Sequence, residues 1–101
     1  MSLPSLNGAQ KTRLRGLGQQ LDDMLLVGQA GASPTVVAEL NRLLDTHELV
    51  KVRFAGADRV QRASLTEALA NAAACLHVGS VGFTALFYRP NAEPGRRKIE
   101  L

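Results

Sequence analysis

Met24-Leu25-Leu26-Val27-Gly28-Gln29-Ala30-Gly31-Ala32-Ser33-Pro34 is the stretch that decides the architecture. Four apolar residues stopped by glycine are too few for a helix and read as a short buried strand. Ser33 followed by proline reads as an N-cap with proline at the first helical position. Val36, Val37, Leu40, Leu43 and Leu44 then supply the apolar face of a helix ending near Thr46. Strand, two-glycine loop and helix together make an anion-binding corner. Glycines accept positive φ and let a ligand approach the backbone, whose N–H groups point the same way as the positive end of the helix.

On the N-terminal side, Asn7-Gly8 precedes a helical stretch to about Leu21, in which Leu14, Leu17 and Leu21 form the expected buried stripe. Lys11 and Arg15 share a face off that stripe. Gly16 and Gly18 each cost about 1 kcal/mol inside a helix, which points to close backbone packing there. On the C-terminal side, Val50, Val52 and Phe54 alternate with Leu49, Lys51 and Arg53, a strand pattern that sets two cations on one face. Asp58 caps a third helix running to about Ala74, with Leu65, Leu69 and Ala72 on one side. Leu76–Val81 and Phe83–Tyr88 read as strands, the second so apolar that it belongs at the centre of a sheet or is covered on both faces. Gly79 and Gly82 mark a turn or bulge. Residues after Pro90 read as an exposed, mobile tail that Ile99 and Leu101 can dock. The order α-β-α-β-α-β-β describes a single compact α/β domain, a mixed sheet packed with helices.

With 101 residues, 46% of them hydrophobic, the chain has material for one core and one domain. It contains no apolar run of membrane-spanning length, and Met1-Ser2-Leu3-Pro4-Ser5 lacks the basic and apolar regions of a signal peptide, so the expected location is cytoplasmic with no membrane partner. Cys75 is the only cysteine, which excludes an internal disulfide and reads as a small packing residue. The net charge of +3 is a modest surplus concentrated toward the two ends, in Lys11, Arg13 and Arg15 and again in Arg96, Arg97 and Lys98. These clusters form one basic face if the topology brings them together.

Several constellations carry possible chemistry. The spacing of Gly28 and Gly31 matches the GXXG loop with which some RNA-binding folds clamp a nucleotide backbone, while a plain strand-to-helix turn that needs positive φ has the same spacing. Lys51 and Arg53 lie on one strand face. Phe83 reads as core within an apolar strand, with base stacking as its other reading. His47, His77 and Cys75 are too diffuse for a metal set, and His47 suits a helix end, where imidazolium favours the dipole. Asp22, Asp23 and Glu48 find no nucleophile or second carboxylate to make a catalytic pair. No Walker lysine follows the loop, so an NTPase is not expected. Neither a cofactor nor a small-molecule substrate is implied.

Four segments in order, Leu6-Asn7-Gly8-Ala9-Gln10 with Leu14-Arg15-Gly16-Leu17, Val27-Gly28-Gln29-Ala30-Gly31, His47-Glu48-Leu49-Val50-Lys51-Val52, and Tyr88-Arg89-Pro90, resemble the CRM domain (chloroplast RNA splicing and ribosome maturation) in its small bacterial YhbY-like form. The resemblance implies an α/β fold similar to the C-terminal domain of a bacterial translation initiation factor. It also implies a non-enzymatic protein that binds ribosomal RNA in precursors of the large subunit. On that basis residues 1–5 are an N-terminal tail, 6–90 the RNA-binding domain and 91–101 a basic C-terminal tail. The expected RNA site is the loop Gly28, Gln29, Ala30 and Gly31 with the start of the second helix, together with Lys11, Arg13, Arg15, Lys51, Arg53 and Arg89 as backbone-clamping cations. Gln29 and Phe83 stand where the family commonly has lysine, and Asp22-Asp23 where a neutral or basic residue is more typical, each of which weakens the electrostatic part of RNA affinity. The alternative is a protein-interaction module on the ribosome that uses the apolar strands and basic tail.

Overall fold

The computed structural model describes residues 3–101, so Met1 and Ser2 of the expected N-terminal tail lie outside the described residues. Helix α1 (Gly8–Gln19) starts at Asn7, whose side chain accepts the Gln10 N–H while the Gln10 side chain accepts the Asn7 N–H. This reciprocal box satisfies two otherwise orphaned donors. Strand β1 (Leu25–Val27) follows, then α2 (Pro34–His47) behind the Ser33 cap, β2 (Leu49–Phe54), α3 (Arg59–Ala72) behind an Asp58–Gln61 capping box, β3 (Leu76–Val81) and β4 (Thr84–Tyr88). A single 3-10 turn, Pro94–Arg96, follows the last strand.

The sheet runs β1-β2-β4-β3, with β1 parallel to β2 and the other pairs antiparallel. The apolar β4 is therefore central, as its composition implies. Because adjacent strand residues point to opposite faces, β2 serves two cores. Val50, Val52 and Phe54 join Leu40, Leu44, Leu69, Ala85 and Phe87 beneath α2 and α3. Leu49 joins Leu14, Val78, Leu86 and Tyr88 beneath α1. The result is a three-layer sandwich, and Cys75 packs inside it with its thiol pushed up to about 11 by desolvation, which disfavours the thiolate.

The stripe on α1 differs from the expected one. Leu14 is fully buried but Leu17 is 38% exposed, and the second inward position is Gly18. A Cβ at Gly18 would lie 2.3 Å from Leu86 Cδ1, so the glycine lets the helix backbone rest directly on β4. Gly16, with nothing within 4 Å of such a Cβ, has no such role. Opposite effects are expected from the two alanine variants. Gly16→Ala gains helix propensity and stabilises by about 0.5–1 kcal/mol, whereas Gly18→Ala overpacks the core and destabilises by about 1–2 kcal/mol net of propensity. Thermal unfolding followed by circular dichroism distinguishes them, and equal shifts would show that Gly18 does not set the helix-to-sheet distance.

Three further details depart from the sequence reading. Helix α3 turns Leu65, Thr66, Leu69 and Ala70 inward, while Ala72 is exposed. Phe83 lies in the β3–β4 turn with Gly82 (φ +57) rather than in the strand, and is 48% exposed. The segment after Pro90 is anchored rather than free. Glu48, at the end of α2, is 1% exposed, and its carboxylate accepts the backbone N–H groups of Asn91, Lys98 and Ile99. Ile99 packs against the cluster under α1. Gly79 marks a bulge, since His77 pairs with Phe87 and Gly79 with Leu86, leaving Val78 without a ladder partner.

Candidate nucleic-acid interface

Strand directions gather the loops. β1 and β2 end, β3 ends and β4 begins at the same edge of the sandwich, so the loops 28–33 and 55–58 and the turn at Gly82-Phe83 are neighbours there. Ala55 N–H donates to Val27 C=O and Phe54 N–H to Phe83 C=O, which ties the three together.

Within the glycine loop, Gly31 N–H donates to Gly28 C=O at 3.0 Å and closes a tight turn over Gln29 and Ala30. The two glycines are not equivalent. Gly31 has φ +62, and a Cβ there would meet Leu65 at 3.1 Å, so the turn itself requires glycine. Gly28 lies outside the left-handed region, and a Cβ on it would meet nothing within 4 Å. The fold makes no demand for glycine at 28, and the position its Cβ would take is open.

That space is a groove of about 550 Å³ between the loop, Ala55-Gly56-Ala57 and the first turns of α3, lined by Gln29, Val60, Gln61 and Ser64 with no charged side chain. Two helices begin beside it. The Asp58 carboxylate caps α3 and offsets its positive end, whereas α2 is capped by the neutral Ser33 hydroxyl, which accepts Val36 N–H at 3.3 Å and leaves that end positive.

The cations lie elsewhere on the sandwich. Arg53, near the end of β2, sits opposite Leu26 and Thr84 on the α1 side of the sheet, and its guanidinium is 3.9 Å from Asp23. Both partners are about half exposed, so this pairing is weak, roughly 0–1 kcal/mol, and leaves the arginine available. Lys51, two residues earlier on the same face, is half-buried. Its Nζ donates to Leu21 C=O at 3.2 Å and Gly18 C=O at 3.5 Å, supplying the positive charge that the C-terminal turn of α1 lacks.

Arg15 and Lys51 share a groove of about 500 Å³ with Gly18, Gly79 and Thr84. Arg15 Nε donates to the carbonyl of bulged Val78 at 2.8 Å, which fixes its direction. Lys11 borders a depression against Leu76–Val78, so the Lys11–Arg15 face lies over β3, while Arg13 projects to the other flank of α1 and is exposed. Neither Lys11 nor Arg13 makes an ion pair among the described residues. The glycine loop extends from β1, the opposite edge, three strand spacings or about 14 Å away. The arrangement is a track from the loop past Arg53 and Lys51 to Arg15 and Lys11.

Arg89 does not join the track. It follows β4 at the far end of the sheet, where its side chain is 16% exposed and donates to Asn41 Oδ1, Asn41 C=O, Ala73 C=O and Asp45 Oδ1. Those bonds join the ends of α2 and α3, and they occupy the fork that a phosphate would need. Arg96, Arg97 and Lys98 are also at that end, beside Glu48, so the second charge cluster does not reach the glycine loop.

Sequence reading missed Arg59 and Arg62. They occupy the first turn after the Asp58 cap, and their position in the sequence gave a signal for this, since helix residues three apart share a face. Arg62 donates to Ala57 C=O at 2.8 Å, and its guanidinium carbon stands 4.4 Å from the centroid of the Phe83 ring.

A family model described as the CRS1 / YhbY (CRM) domain matches residues 6–89. The chain is 37% identical over 92 residues to a protein of Pseudomonas aeruginosa named Probable RNA-binding protein, a match covering 91% of this chain and 88% of the relative. It is 33% identical over 99 residues to a Haemophilus influenzae protein named RNA-binding protein, covering 98% and 97%. The solution structure of a hypothetical protein from Staphylococcus aureus superposes with a TM-score of 0.81 at 28% identity, covering 96% of this chain and 99% of that one.

Proposed function

The chain belongs to the CRS1 / YhbY (CRM) domain family, and from that membership we propose that it binds structured RNA through the sugar-phosphate backbone. The observation that carries this reading is the open backbone at Gly28, a glycine the turn does not need, standing beside the uncharged-capped start of α2. A phosphate seated there leaves the neighbouring phosphates to Arg53, Arg15 and Lys11 along the track. Lys51 acts mainly by holding α1 in place, and Arg89 is structural. The binding is non-catalytic and reads little sequence, because the track presents cations and backbone N–H groups rather than side chains fitted to base edges.

The RNA is ribosomal, within precursors of the large subunit, and the protein works in the cytoplasm as an assembly factor. Among the described residues no helix is long and apolar enough to cross a membrane. Gradient sedimentation of cell extract tests the assignment. The chain is expected to travel with large-subunit precursors and to return to the top of the gradient after RNase treatment or in high salt, as counterion-linked binding requires. Retention on protein particles after RNase would favour a protein-interaction module, and absence from all ribosomal fractions would overturn the ribosomal assignment.

A further inference from the structure

On the opposite side of α3 from the glycine-loop groove lies a cleft of about 730 Å³, formed between that helix and the β3–β4 hairpin. Its volume is within the roughly 300–1,000 Å³ span of sites that hold small organic ligands. Resting on the RNA-binding reading above, we propose that this cleft is a second RNA contact, which takes one unpaired nucleotide and stacks its base on the Arg62–Phe83 pair.

The chemistry is graded along the cleft. α3 and β3 run in opposite directions, so Arg59, Arg62 and Gly82 stand at the loop end of this open cleft, while Asn71 and His77 stand at its far end, with Glu67 and Ser80 between. Two guanidinium groups at the loop end attract a phosphate, and the Glu67 carboxylate repels one from the rest of the cleft. A nucleotide therefore lies with its phosphate at the loop end, beside the Arg62–Phe83 pair. Farther along, Glu67, Asn71 and the Ser80 hydroxyl, which lies 2.7 Å from His77 Nε2, offer acceptors and donors to a base edge. Desolvation holds His77 below the usual imidazole range, so at neutral pH it adds no charge to the far end of the cleft.

The stacking platform is pre-arranged at the rim of the cleft, where Arg62 lines it and Phe83, in the turn beside the lining residue Gly82, lies against Arg62. Phe83 C=O accepts Phe54 N–H at 2.8 Å, which fixes the turn, and Arg62 is held by Ala57 C=O while it covers one side of the ring. About half of Phe83 remains exposed, an apolar surface whose burial the fold itself leaves incomplete. Arginine planes and aromatic rings both stack unpaired bases, and such stacking tolerates any base. A regular duplex keeps its bases paired and cannot insert one.

The chain has no tryptophan, so a Phe83→Trp variant carries a single reporter at the platform. It is titrated with a hairpin RNA bearing an unpaired loop and with a fully paired duplex, while anisotropy of the labelled RNA reports binding independently. The hairpin is expected to quench the tryptophan emission at least two-fold and the duplex to leave it unchanged. Phe83→Leu is expected to weaken the hairpin about ten-fold, the scale of one stacked base, with duplex affinity and salt dependence unaltered because no charge is lost. Hairpin binding without quenching, or equal loss for both RNAs, would overturn the stacking site and leave backbone binding intact. Failure of the unaltered chain to bind either RNA would overturn the RNA-binding reading and this inference with it.

Discussion

Replacing Glu48 with alanine is expected to be the most damaging single change to the fold, lowering stability by about 3 kcal/mol and the unfolding midpoint by roughly 10–20 °C. The carboxylate is buried and accepts three backbone N–H groups from residues 43 to 51 positions further along the chain, so it is the main polar attachment of the C-terminal segment. Removing it strands those donors and also loosens Ile99 from the cluster beneath α1. Glu48→Gln should fall between the two, because an amide keeps one acceptor oxygen but turns a donor toward another N–H. Calorimetry gives the stability, and trypsin supplies the local test. Cleavage after Arg96, Arg97 or Lys98 should accelerate in the alanine variant well before global unfolding. An unchanged midpoint and cleavage rate would mean that the segment is held by its apolar contacts alone.

What the sequence made legible, and what it hid, follows from the range of the interactions involved. The helix starts at Asn7, Ser33 and Asp58 are set by side chains acting three residues ahead, so they can be read directly, and the nearly all-apolar run of β4 narrows it to a central or doubly covered strand. The glycine-loop turn was equally local. Leu17 misled because periodicity counts hydrophobic side chains, and the contact that orients α1 is made by Gly18, which has none. The sequence offers Arg89 as an RNA-clamping cation and Glu48 as a carboxylate without a partner. Their partners are backbone groups and side chains far away in sequence, and only the tertiary fold puts these within reach. The apolar pattern extends a strand through Phe83, whereas the positive φ at Gly82 turns the chain and leaves the ring at the surface. The basic clusters were visible as composition, but their placement at opposite edges and ends of the sheet depends on strand order.

The central claim, that RNA backbone rests on the glycine loop, is tested most directly by comparing Gly28→Asp with Gly28→Ala for affinity toward the same structured RNA at fixed salt. Alanine at 28 has room and an accessible backbone conformation, so it should fold at least as stably as glycine, with a gain of about 0.4–1 kcal/mol from a less flexible unfolded chain. Aspartate has the same steric freedom but brings a negative charge to within about 5 Å of the expected phosphate, which at an effective dielectric near 20 costs about 3 kcal/mol. Gly31 cannot serve this purpose, since any side chain there strains the turn. The account predicts that Gly28→Asp binds roughly 30- to 150-fold more weakly than Gly28→Ala, allowing for screening, while both unfold cooperatively. Equal affinities of the two variants would contradict it, and would mean that the loop is a turn and that RNA binds elsewhere on the domain.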